Sequence, residues 1–315
     1  MYKTLNAFPI TMSKGKTLIL ANYLSLLMWW FILTIIGSTS GLGNSFFNLG
    51  MGIYAFLLGI VLFSSAFHHD AYTPHRLAVL IGSFGMALFG LGSVLWFYYD
   101  VSFGVEIPFP SMSDFFYVMH FPFSVFSVIS LSYRDIAYMA PEYKRRNLKD
   151  YLGKSFLFVS SILLLVWLIS YLYSGVLFDL EMYLLFFFPI ESLSITCLSF
   201  LAVLHLSKTW QKTVANWYVL VVLGYGAWFC GDVIFVYEFT RDLYFNAGYA
   251  DLLYLTGSCL ILLGLIGVIE GSKKEGFISP YSPIFFSRSI SYSPFGLNMK
   301  KYANSLHKLL FDWIL

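Results

Sequence analysis

Read for hydrophobic and polar positions, the chain is a succession of long uncharged apolar runs separated by short stretches where the charges collect. The runs cover approximately 17–37, 48–67, 77–98, 114–132, 155–175, 182–205, 215–237 and 251–270. Each approaches or exceeds the roughly 18–20 residues needed to cross a hydrocarbon core as a helix. The pattern therefore predicts an all-α polytopic membrane protein with eight transmembrane helices. Pro122 lies within the fourth run, where it is expected to kink the helix rather than end it. Lys14 and Lys16 precede the first run, as they would in a signal peptide. That run is longer than the roughly 7–15 residues of a signal core, so it reads as an uncleaved first helix.

Composition agrees with this reading. The 315 residues are 58% hydrophobic and only 11% charged, against about 25% charged in a soluble domain. So few charges cannot cover a water-facing surface, and the lipid bilayer is the expected surrounding of most of the chain. The three cysteines, Cys197, Cys230 and Cys259, all fall inside runs and read as small buried hydrophobes.

The distribution of charge says more than its sum. With the N terminus in the cytoplasm, every lysine and arginine except Arg241 falls on the cytoplasmic side. Positive residues favour that side during insertion, so both termini are expected in the cytoplasm of a cell-membrane protein. The opposite loops and helix ends carry Asp100, Glu106, Asp114, Asp179, Glu181, Glu238, Asp242 and Asp251.

The chain also repeats itself. Asp114 and Asp251 lie 137 residues apart, Gly15 and Gly153 138 apart, and these offsets lay runs one to four over runs five to eight. Ser113-Asp114-Phe-Phe-Tyr117 falls on Ala250-Asp251-Leu-Leu-Tyr254, and Gly15-Lys16-Thr17 on Gly153-Lys154-Ser155. An even number of helices per unit gives a parallel 4+4 pseudo-repeat about an axis along the membrane normal. The expected organisation is a first half at 1–132, a basic cytoplasmic linker at 133–154, a second half at 155–270 and a cytoplasmic tail at 271–315. Within the tail, 299–315 reads as a basic amphipathic helix suited to the inner membrane surface, or alternatively to a partner.

Candidate chemistry concentrates in the outer half of the bilayer. Glu191 lies well inside the sixth run and Asp232 inside the seventh. Buried acids there cost roughly 2.5–3.5 kcal/mol on insertion scales and raise a functional hypothesis. Asp114, Asp251, Tyr117, Tyr254 and His120 begin or line the fourth and eighth runs at a similar height. Together these seven predict an outward-opening pocket between the halves, acidic at its rim and aromatic in its wall. A structural reading competes with this one. Carboxylates in first helical turns cap orphan N–H groups, and Ser111-x-x-Asp114 has capping-box spacing; buried acids can simply hydrogen-bond a neighbouring helix.

Other chemistries find no support. His68, His69, Asp70 and His75 match no standard metal-site spacing, so no metal and no cofactor are expected. No lysine lies inside a run to carry a retinal Schiff base, and no GxxxxGK[ST], GxSxG or HExxH occurs. Topology accounts for the basic residues, and no nucleic-acid partner is implied.

At Ala250, Asp251, Tyr254 and Leu255, and at Phe188, Pro189 and Glu191, the chain resembles eight-helix integral membrane sensor modules found N-terminal to prokaryotic diguanylate cyclases and histidine kinases. The likeness covers residues 15–270, and only some 45 residues follow, too few for such an output domain. It implies a stand-alone sensor or a module whose output is a separate signalling partner or a second copy of the chain. The expected function is thus a non-enzymatic membrane sensor or receptor-like module with an acidic and aromatic pocket. The alternatives are a small proton- or cation-coupled transporter and an accessory subunit of a membrane complex.

Overall fold

The computed structural model describes residues 12–67, 75–103, 110–132, 157, 160–169, 172, 179–208 and 212–274. Residues 1–275 form one compact unit; a second, 276–315, lies outside the described residues. The described chain is helical: α1 (Met12–Ile35), α2 (Leu42–Phe67), α3 (Arg76–Phe103), α4 (Met112–Ser132), α5 (Ser160–Ile169), α6 (Leu180–Lys208), α7 (Lys212–Phe239) and α8 (Tyr249–Lys274). All but α5 are long and apolar enough to cross a membrane. The count is therefore seven where the sequence predicts eight, because the described part of the fifth run is too short to span. The basic linker, the amphipathic segment 299–315, and His68, His69 and Asp70 lie outside the described residues.

Proline does not end the helices that contain it. α4 continues through Pro122 and α6 through Pro189, as helices do where neighbours re-satisfy the freed carbonyl. Cysteine corrects an expectation: Cys259 is buried, but Cys197 and Cys230 are exposed. On an apolar helix an exposed thiol faces lipid at little cost, so burial was never required.

Lipid is as apolar as leucine, so close packing rather than hydrophobic transfer must hold these helices together. The tightest pairs are α2 with α3, α3 with α4, α6 with α7 and α7 with α8. Small residues make them. A methyl group on Gly90 would lie 2.3 Å from the Phe56 amide nitrogen, so the α2 and α3 backbones approach too closely for any side chain there. α1 is peripheral, with 17% of its apolar stretch buried against 67% in α8, and it turns Leu24, Met28, Phe31 and Ile32 outward.

The two ends of the bundle differ. At one, Lys16 of α1 forms an ion pair with Glu270 of α8 and lies 3.6 Å from the centre of the Trp217 ring of α7. At the other, the loop 240–248 between α7 and α8 crosses to the first helices. Trp30 Nε1 donates to the Gly248 carbonyl at 3.3 Å, and Asn44 Nδ2 to the Asn246 carbonyl at 2.8 Å. Asn246 Nδ2 donates to Asp100 at 2.9 Å, while its Oδ1 accepts from Asn48 at 2.7 Å and from Trp96 at 3.2 Å.

Candidate functional site

A cavity of about 80 Å³ lies in the half of the bundle nearer the 240–248 loop, with walls from α2, α3, α4, α6, α7 and α8. At roughly 30 Å³ per water, that is room for about two or three waters. All seven predicted site residues line it: Glu191, Asp232, Asp114, Asp251, Tyr117, Tyr254 and His120.

They divide by what they bond. Asp114 is the third residue of α4, and its carboxylate accepts the Ser111 N–H at 2.6 Å and the Ser111 hydroxyl at 2.8 Å. That is the side-chain-to-backbone half of a capping box. Asp251, the third residue of α8, accepts the Ala247 N–H at 2.7 Å and the Tyr244 hydroxyl at 3.2 Å. The Ala247 contact helps hold that residue at a φ of 64°, a left-handed geometry costly for a side chain larger than glycine's. Burial, with the Asp251 charge beside it, raises the Tyr244 phenol well above its usual range, so it remains a donor. Both aspartates are tied to backbone ends, and their bonds account for them as caps.

Asp232 and Glu191 are different. They stand mid-helix, 7% and 5% exposed. Asp232 accepts a hydrogen bond from the Tyr254 hydroxyl at 2.8 Å and another from the Ser192 hydroxyl. Glu191 has no comparable set. Its Oε1 is 3.7 Å from His120 Nδ1, beyond hydrogen-bond reach, and its Oε2 has no hydrogen-bond partner among the described residues. His120 Nε2 is 2.6 Å from the Ser124 hydroxyl instead. A buried carboxylate oxygen left without a donor is uncommon enough in folded proteins to call for an explanation.

The two sides of the wall are built alike. The Tyr117 ring lies against Gly92, where a methyl group would meet it at 2.8 Å, and its hydroxyl donates to Ser93 at 3.2 Å. The Tyr254 ring lies against Gly231 in the same way, at 2.9 Å, and its hydroxyl reaches Asp232. Between them Phe89 and Trp228 stack with ring centres 4.3 Å apart. Each position in α3 and its counterpart in α7 are 139 residues apart: Phe89 and Trp228, Gly92 and Gly231, Ser93 and Asp232. The chemistry of the two sides is not equal, since Ser93 is neutral where Asp232 is acidic.

Sequence reading missed Ser192, Phe89, Trp228 and Asn246. Serine in an apolar helix carries little insertion cost and so gives no signal. Phe89 and Trp228 are two aromatics among many, and only the 139-residue offset marks them.

No protein-family model matches the chain, and no curated protein or solved structure is significantly similar to it. What the cavity does must be argued from its geometry.

Proposed function

We propose that this chain is a non-enzymatic, receptor-like module of the cell membrane that takes a small ligand into the cavity around Glu191 and Asp232. The observation that carries this reading is Glu191, which lines the cavity and keeps a buried oxygen without a hydrogen-bond donor among the described residues. A ligand supplies the donor.

The core beneath the cavity favours a receptor over a transporter. Among the described residues, no carboxylate, lysine or arginine lies in the core between the Glu191 layer and the Lys16–Glu270 pair. Ser83 donates to the Val79 carbonyl of its own helix and Ser127 to the Ala78 carbonyl of α3, while the buried Ser199 hydroxyl has no partner among the described residues. A proton or cation leaving Glu191 for the basic end would find no carboxylate, lysine or arginine among the described residues until that end, where His75 is also buried.

Matched contacts at Gly92 and Gly231, and at Tyr117 and Tyr254, support descent of the α1–α4 and α5–α8 regions from one four-helix unit, in a parallel 4+4 arrangement with eight spans. The basic residues at one end and the acidic residues at the other support cytoplasmic termini, with the cavity in the outer leaflet. Ligand binding would then bias the packing of α3 and α4 against α6–α8. The Lys16–Glu270–Trp217 junction would then pass that change to a cytoplasmic signalling partner.

Flux in sealed liposomes is the test. The purified protein should carry no proton or alkali-cation flux, and Glu191→Gln and Asp232→Asn should leave that baseline unchanged. Flux in the wild type that both substitutions abolish would replace the receptor reading with a transporter.

A further inference from the structure

We infer that the ligand is a small organic ammonium ion, seated with its charge on Glu191 and its carbon groups against the aromatic wall. The inference rests on the receptor reading of the same cavity and adds the chemical class of what binds there.

Charge comes first. Four carboxylates line the cavity, and no lysine or arginine does. Two of the four, Asp114 and Asp251, hold helix ends, and Asp232 has two hydroxyl donors. Glu191 alone keeps an oxygen without a donor. An anionic ligand would meet repulsion with no compensating cation. A neutral apolar one would bury that oxygen still unpartnered, at the full desolvation penalty.

The rest of the wall selects among cations. Alkali and alkaline-earth ions bind several oxygen ligands at once. Among the described residues no group of three His, Cys, Asp or Glu side chains is arranged to hold a metal. Much of the remaining wall is aromatic instead: Phe89, Trp96, Phe188, Trp228 and Phe235 all line the cavity. Aromatic rings attract cations through their negative faces, most effectively where water is excluded, and alkylammonium groups are the cations that also gain from apolar contact. The volume sets the size. About 80 Å³, roughly half of the 150 Å³ that holds a benzene, fits a ligand of about three or four non-hydrogen atoms.

The experiment is calorimetric titration of the full chain in lipid nanodiscs with three probes: propylammonium chloride, its neutral isostere propan-1-ol, and potassium chloride. We expect propylammonium to bind, the neutral isostere to bind about tenfold more weakly or not at all, and potassium chloride to give no saturable heat. Glu191→Gln should weaken propylammonium about tenfold, roughly the effect of losing one charge-assisted contact. The wild-type comparison of propylammonium with its isostere needs no variant, so it stands even if Glu191→Gln misfolds. Equal binding of the neutral probe would overturn the ammonium assignment and leave the receptor reading standing. Saturable potassium binding, or no binding by any probe, would also overturn it. Propylammonium that binds and also crosses sealed liposomes would instead sink the receptor reading and keep the ammonium assignment.

Discussion

Asp232 shows how an acidic side chain is kept inside an apolar bundle. Its two oxygens meet hydroxyls from two other helices, Ser192 on α6 and Tyr254 on α8. Removing one donor strands part of a buried carboxylate, which costs about 1–3 kcal/mol. Tyr117 offers the control, because it makes the matching contact to a neutral serine. Tyr254→Phe should therefore lower the thermal unfolding temperature by several degrees, and Tyr117→Phe by clearly less. Equal losses would mean that the charge at Asp232 has no bearing on the pair. At this scale the sequence was informative wherever a residue type is expensive in lipid: both buried acids stood out. It was silent about Ser192 and Asn246, which are cheap to place in a helix or loop and acquire their roles only from partners distant in the chain.

At the scale of elements, glycine decides which helices touch. Gly82, Gly85, Gly90 and Gly92 gave the third run its distinctive composition, but composition could not say whether they met this chain or another. They face α2, α4 and α8 of the same chain: Gly90 meets Phe56 and Gly52, Gly82 meets Ser127 and Leu265, and Gly92 meets Tyr117. A methyl group on Gly90 would run into backbone, which cannot rotate away. Gly90→Ala should destabilise by about 1–3 kcal/mol, the usual range for overpacking. Gly226→Ala, whose added carbon would find its nearest neighbour at 3.9 Å, should be close to neutral. Thermal unfolding of the two variants side by side checks this, and a neutral Gly90→Ala would mean that α2 and α3 are not in backbone contact. Helix boundaries were legible from apolar runs alone to within a few residues for most helices. Of the fifth run, residues 157, 160–169 and 172 are described, and all are helical.

For the whole molecule, the segregation of charge and the long apolar runs made the membrane placement legible before any coordinates. The seven candidate residues also predicted a pocket, and all of them line the cavity. The sequence could not separate capping acids from an acid with an unpartnered oxygen. Ser111-x-x-Asp114 had the spacing of a cap and is one, while Glu191 keeps a buried oxygen without a donor among the described residues. The account of the molecule stands on that cavity being reachable by a small ligand from one side only. The most direct test places a single cysteine at Ser93 on the cavity wall, with Cys197, Cys230 and Cys259 replaced by serine, in sealed vesicles of known orientation. A small membrane-impermeant thiol reagent should modify it from the side of the 240–248 loop and not from the side of Lys16 and Glu270. Modification from both sides, or from neither, would contradict the account.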